Sequence, residues 1–310
     1  MTRPAPAGTP PDAGSPRAAY ALLTLTALLW AGNAVASKWA VGAVSPQALT
    51  GLRWAIACTL LAGLAGRQIV REWSALAPHW RRILLMGGFG YTLFNGLYYA
   101  AGAYTSTVNL VLFQGSIPVL VILLNFAVYR HAVSLGQAAG VTLTLAGVVL
   151  AASHGDGAVL RELAFNRGDL LLVVACLLYA GYTVALPSRP RVSGLVFFSA
   201  MAVAAWLTSL PLMAAEWASG RLVWPGATGW ALIAFTALGP SLAAQLAFMR
   251  GVEMIGPNRA GLFVNLVPVF GALLAVLLVG EPFGATEGLA LALVVGGIAV
   301  AEAFGRRRAG

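Results

Sequence analysis

Two stretches of this chain, 149 residues apart, repeat each other, and each belongs to a set of five apolar segments. Leu28-Leu29-Trp30-Ala31-Gly32 returns as Leu177-Leu178-Tyr179-Ala180-Gly181, and Val35-Ala36 returns as Val184-Ala185. Pro118 and Gly147 recur as Pro268 and Gly297, at a spacing of 150. An odd number of membrane crossings leaves the chain on the opposite side, so the second copy must be inverted relative to the first. Inverted repeats around a midplane site are the architecture of secondary transporters.

Composition places the chain in a bilayer. Hydrophobic residues make up 59%, charged residues 9%, and the mean hydropathy is +0.83. A crossing needs roughly 20 apolar residues, and ten segments qualify: 19–41, 47–66, 83–104, 108–128, 134–153, 169–187, 193–214, 229–249, 258–279 and 285–304. The expected fold is an all-α integral membrane protein with ten transmembrane helices in two inverted five-helix repeats. Residues 1–17, rich in Pro, Ala and Gly, read as a disordered cytoplasmic tail. The first repeat then covers 18–153, an external linker 154–168, the second repeat 169–305 and a basic cytoplasmic tail 306–310.

The net charge of +9 does not mark a nucleic-acid binder, because the basic residues are scattered through interhelical loops. With the N-terminus inside, fourteen arginines fall on the cytoplasmic side, against Arg161, Arg167 and Arg221 outside. That bias satisfies the positive-inside rule and puts both termini in the cytoplasm. Arginine outnumbers lysine eighteen to one, which with the alanine content hints at a bacterial source and hence an inner membrane. Cys58 and Cys176 sit in apolar spans of different halves as small hydrophobes, and His79, His131 and His154 are isolated loop residues. Ala34-Val35-Ala36 behind the apolar run Leu22 to Leu29 imitates a signal-peptidase site, but the repeat of Trp30-Ala31-Gly32 in the sixth span argues for retention.

Several residues resemble the EamA-type ten-span branch of the drug/metabolite transporter superfamily. The first span carries Leu29-Trp30, Asn33 and Lys38; the second opens with Ser45-Pro46 and Leu52-Arg53. The sixth begins Gly168-Asp169-Leu170-Leu171 and continues to Tyr179-Ala180 and Tyr182-Thr183. The ninth runs Asn265-Leu266-Val267-Pro268 and ends Gly280-Glu281-Pro282. One departure is clear. The resemblance implies a second Gly-Glu element after the fourth span, where this chain has Arg130-His131. A symmetric carboxylate pair is therefore missing. The resemblance further implies export of small metabolites, with amino acids leading.

Pro118 and Pro268 occupy matching positions in the fourth and ninth spans. Proline removes a donor and clashes with the carbonyl four residues back, so each should kink its helix and free the carbonyls of Gln114 and Val264. Interrupted helices at corresponding places in the two repeats point to a transport site. Pro211 and Pro240 lack repeat partners and read as structural.

In the third span Tyr91, Asn95 and Tyr98 share one helical face, with Tyr99 beside them. An amide facing acyl chains would cost a few kcal/mol, so this stripe should face the bundle interior. Trp30, Asn33, Tyr179 and Tyr182 extend the set from the first and sixth spans, and Gln114, Gln245 and Asn265 add amides. Aromatic walls with a few convergent polar groups describe a ligand site; taken singly, each residue is better served by interior packing, since Trp and Tyr gather at interfaces and amides join helices, and it is the set together that points to a site. Lys38 and Arg53 are the basic residues within spans, positioned either to attract a substrate carboxylate or to anchor helix ends. Gly136, Gly140, Gly296 and Gly297 read as close packing between the halves.

Asp169, Glu216, Glu281, Glu287 and Glu302 all lie near span ends. A pump for cationic drugs needs an intramembrane carboxylate, so neutral or zwitterionic cargo is favoured. Neither a cofactor nor a metal cluster is expected. The leading reading is a secondary exporter of amino acids, aromatic and other neutral ones included. It works as a monomer or weak homo-oligomer among membrane lipids, and it is not an enzyme. The same fold would also suit a drug, nucleoside or sugar-phosphate carrier. An intramembrane lipid enzyme would need a nucleophile, base or metal ligands at one depth, and those residue types are scattered.

Overall fold

Residues 15–130, 132–156 and 166–306 are described by a computed structural model. The expected tail falls largely outside that range, as do His131, most of the linker and the end of the basic tail; the described chain is helical from Pro16 onward. Every regular element among the described residues is a helix. Lipid offers the backbone no partners, so an apolar chain of this kind must satisfy its N–H and C=O groups within each segment.

Among the described residues, nine helical stretches are long and apolar enough to cross a membrane, and one of them, Pro46–Ala101, runs for 56 residues. A straight helix of that length would reach about 84 Å, nearly three times a hydrocarbon core of about 30 Å. It folds back at the 3-10 turn Ala77–His79, which contains Pro78. Arg53 before the turn consequently bonds Asn95 and Tyr99 after it. This stretch therefore holds two crossings, which makes ten among the described residues.

The first span is Pro16–Trp39, the second Pro46–Leu76 and the fifth Leu135–Ser153. The sixth is Arg167–Ala185, the seventh Gly194–Ala218 and the tenth Ala285–Arg306. The remaining four are interrupted. The third joins Trp80–Gly87 to Phe94–Ala101 through a π-helical turn, Gly88–Leu93. The eighth joins Ala227–Thr236 to Ala244–Ile255 through another, Ala237–Ala243. The fourth breaks at Ser116 between Thr107–Gly115 and Ile117–Tyr129. The ninth breaks at Asn265 between Pro257–Val264 and Leu266–Leu274, and ends in a π turn at Ala275–Val279. Ser and Asn side chains cap several entries, and Ser134 with Gln137 forms a reciprocal capping box.

The two repeats interleave. The second span packs on the seventh, the first on the eighth and ninth, the third on the sixth, and the fifth on the tenth. The last pair is the tightest, and small residues are the reason. A Cβ added to Gly140 would lie 2.4 Å from the backbone N of Ala301, so only glycine admits this approach.

Burial differs between the two ends of the bundle. In the fourth span every residue from Thr107 to Phe113 is buried, whereas Ile117–Tyr129 buries only Ile117 and Val119. In the ninth, Leu266–Leu274 buries Val267, Pro268, Gly271 and Ala272, but of the described side chains in Pro257–Val264 only Ala260 is buried. The bundle is thus closed at the end opposite the chain termini and splayed at the end that carries them.

The expected proline kinks are full breaks, displaced from the prolines themselves. Pro118 is the second residue of its half-helix and Pro268 the third of its own. A missing N–H costs nothing in the first turn of a helix, so proline starts the new half instead of bending the old one.

Candidate functional site

The four interrupted spans meet around one cavity of about 160 Å³, close to the ~150 Å³ space known to hold a benzene-sized ring. Trp30 and Asn33 of the first span line it, with Arg53 and Trp54 of the second and Tyr91, Phe94 and Asn95 of the third. Gln114, Ile117 and Pro118 of the fourth span, Tyr179 of the sixth and Phe198 of the seventh add to the wall. Pro240, Ser241 and Gln245 of the eighth and Val264, Asn265 and Val267 of the ninth complete it. The repeat is visible in this lining. Gly90 and Pro240, Tyr91 and Ser241, and Asn95 and Gln245 are pairs 150 residues apart, and both members of each pair face the cavity.

Pro240 therefore has a repeat partner after all, a glycine, which is why comparing prolines alone passes over it. Both sit in π turns. Gly90 is required by close approach: a Cβ there would stand 2.4 Å from Cγ of Tyr182. In the other turn, the carbonyl of Pro240 accepts from Trp30 Nε1 at 3.2 Å. Single π turns inside α-helices cluster at functional sites because they re-aim side chains at small cost.

Arg53 organises the closed end of the cavity. Its Nε and Nη2 donate to Ser241 Oγ at 2.9 and 2.6 Å. Nη1 donates to Asn95 Oδ1 at 2.8 Å and to the Tyr99 hydroxyl, which donates in turn to Asn33 Oδ1 at 2.8 Å. Its guanidinium carbon lies 5.2 Å from the Trp54 ring centre and 5.6 Å from that of Tyr99. Trp54 stacks on Tyr91 with ring centres 5.0 Å apart. Beyond this layer a second cavity of about 150 Å³, lined by Ala40, Val44, Ser45 and Tyr99 among others, lies toward the closed end. Tyr99 is thus part of the partition between two cavities, not of the main wall.

Some expected wall residues sit elsewhere. Tyr98 is fully buried in the core, its ring centre 5.7 Å from that of Phe94, which lines the cavity where Tyr98 does not, and its hydroxyl has no partner among the described residues. Tyr182 lies behind the π turn, its hydroxyl 3.4 Å from that of Tyr91. Pro268 packs behind the fourth span, beside Gly115. Lys38 caps the end of the third span, donating to the carbonyls of Gly102 and Thr105 at 3.3 and 2.9 Å, so it anchors a helix C-terminus. The carboxylates also serve helix ends. Glu216 accepts from Ser45 Oγ and the backbone of Gln47 and Ala48. Asp169 accepts from Thr105 and Asn166. Glu302 accepts from Asn265 at 3.4 Å.

Trp54, Phe94, Phe198 and Ser241 went unrecognised at the level of sequence. Trp54 had a usable signal, its place next to Arg53; the other three look like ordinary apolar or small residues of a span.

An all-helical membrane bundle with two interleaved, inverted halves, paired helix breaks and a cavity closed at one end is the architecture of a secondary transporter. The chain belongs to the EamA-like transporter family, whose pattern matches twice, over residues 17–153 and 166–302. It is 26% identical over 279 residues to "Uncharacterized transporter YyaM" of Bacillus subtilis, covering 86% of this chain and 87% of that one. It is 29% identical over 300 residues to "Aromatic amino acid exporter YddG" of Ancylobacter novellus, covering 94% and 99%. A solved structure titled "Crystal structure of protein" shares the fold, with a TM-score of 0.65, 23% identity and coverage of 96% and 100%.

Proposed function

We propose that this transporter exports amino acids with aromatic or other neutral side chains from the bacterial cytoplasm by alternating access. The observation that carries the reading is the cavity lining. Trp30, Trp54, Tyr91, Phe94, Tyr179 and Phe198 offer aromatic faces, while Asn33, Asn95, Gln114, Gln245 and Asn265 supply amides. Gln114 Oε1 is buried with no partner among the described residues, an acceptor ready for an ammonium group. The relative from Ancylobacter novellus, named for aromatic amino acids, supports the same cargo. A sugar phosphate would need several cations, and the lining holds one, Arg53.

With both termini cytoplasmic, as the arginine distribution favours, the splayed end faces the cytoplasm and the conformation is inward-open. Cargo enters between the terminal halves of the fourth, eighth and ninth spans. The partition of Arg53, Tyr99, Asn33 and Ser241 blocks the outward path. Pivoting at Ser116 and Asn265 would close the inner end and part this layer.

Counterflow into liposomes tests the proposal. Vesicles holding purified protein are preloaded with unlabelled phenylalanine and offered labelled phenylalanine outside. Accumulation above protein-free vesicles is expected, and it should survive dissipation of ion gradients. If a panel of amino acids all fail to exchange through folded protein, the cargo assignment is wrong.

A further inference from the structure

We infer that Arg53 is the anchor for a carboxylate group on the transported molecule, and that the Ser241 hydroxyl holds the place of that carboxylate when no cargo is bound. This rests on the transport reading above and names the chemical feature its cargo must carry. The observation is a buried cation without a counter-charge. Arg53 is 4% exposed and lines the cavity. No carboxylate among the described residues pairs with it. The acids Glu216, Glu281 and Asp169 are committed to helix ends and neighbouring hydroxyls. A membrane protein retains an uncompensated buried charge at a cost, and such groups mark the paths of ions and substrates.

The hydrogen bonds say where the anion goes. Arginine offers five N–H groups in a fixed fork, and the edge formed by Nε and Nη2 matches the two oxygens of a carboxylate. Here both atoms of that edge converge on one oxygen, Ser241 Oγ. Ser241 donates in turn to the Thr236 carbonyl, just before the π turn, at 2.8 Å, a bond within its own span that it can keep when Arg53 lets go. The opposite side of the fork is occupied by Asn95 and Tyr99, which orient it. A second unmet group lies alongside: Trp54, 3% exposed and on the same cavity, has an indole N–H with no acceptor among the described residues. A carboxylate arriving from the splayed end would displace one neutral hydroxyl and gain a bidentate, charge-assisted pair. Releasing Ser241 frees the π turn of the eighth span from the second span, which couples cargo recognition to the partition.

Binding to the purified full-length protein in detergent, read by ligand-dependent thermal shift and tryptophan fluorescence, tests this with four probes. Phenylacetate and phenylalanine carry the carboxylate; phenylacetamide and phenethylamine lack it. The two carboxylates should bind saturably, and the other two should bind at least about tenfold more weakly, the value of a hydrogen bond to a charged group. R53Q should abolish that preference and R53K keep part of it. Should R53Q not fold, S241A decides. Removing the placeholder should tighten phenylacetate by about two- to tenfold, whereas if Arg53 is purely structural S241A leaves the affinity unchanged. Equal binding of phenylacetamide and phenylacetate overturns the inference, as does unchanged or weakened phenylacetate binding in S241A, or no carboxylate binding at all. If phenylacetate binds through Arg53 but phenylalanine does not, the amino-acid reading falls and the anchor stands. Phenylalanine bound independently of Arg53 gives the reverse.

Discussion

Glu281, just past the ninth span, accepts from the backbone N–H and hydroxyl of Thr107 at 2.7 and 2.8 Å, and from the N–H of Val108 at 3.2 Å. One repeat thereby caps the first turn of the other repeat's broken helix, where a carboxylate also meets the positive end of the helix dipole. The mirror relation would place residue 131 against residue 257. Position 131 holds histidine, and position 257 holds proline, which begins its half-helix and has no N–H to cap. The missing Gly-Glu element and Pro257 belong to one asymmetry: proline lacks both the N–H and the hydroxyl that Thr107 presents to Glu281, and Asn258 keeps only the counterpart of the Val108 N–H.

Glu281→Ala should therefore destabilise the folded protein by about 1–3 kcal/mol, the range for losing a charged cap. Glu281→Gln, which retains an acceptor oxygen, should lose less. Thermal denaturation in detergent, followed by circular dichroism, measures both. An alanine variant as stable as the parent would mean that the contact contributes nothing.

Tyr98→Phe separates core from wall. The Tyr98 hydroxyl is buried without a partner among the described residues, so deleting it removes a desolvation penalty and leaves the packed ring in place. Stability should stay level or rise by up to about 1 kcal/mol, with counterflow unchanged. A transport loss from this one-atom deletion would return Tyr98 to the cargo's path.

Much of the architecture is written in hydropathy, because lipid tolerates little besides apolar helices. The ends of the spans are less legible. The second span continues past its expected boundary at Gly66 to Leu76, since Arg67, Gln68, Arg71 and Glu72 leave the membrane without leaving the helix. The helical spacing that brings Tyr91 and Asn95 to one cavity wall carries Tyr98 past Phe94 into the sealed end. Such spacing fixes direction around an axis but not where along it a cavity stops. Ser241 was invisible because its role comes from the fork of Arg53, a partner 188 residues away.

Gly90→Ala should disrupt the site from behind. Its new Cβ would meet the Tyr182 ring at 2.4 to 2.9 Å, and that ring is flanked by Tyr91 and Tyr179 at 5.4 Å between centres. Overpacking of this kind typically costs about 1–3 kcal/mol. Counterflow and stability should both fall, and adding Tyr182→Ala should recover part of the stability lost through Gly90→Ala, because it removes the clash. A double-mutant cycle reads that coupling; strict additivity would show that the two residues do not meet.

Pro240→Ala tests whether the π turn serves transport or only shape. Alanine restores an N–H in the middle of the eighth span, so Ala237–Ala243 gains the option of a regular α-helix. Regularising it would rotate Ser241 away from Arg53 and withdraw the carbonyl that Trp30 Nε1 now reaches at 3.2 Å. The expected result is a split: thermal stability retained or raised, since proline is the poorest helix former, and counterflow reduced severalfold. Loss of both together would make Pro240 a packing residue. Retention of both would show that the transport cycle does not depend on the irregular turn.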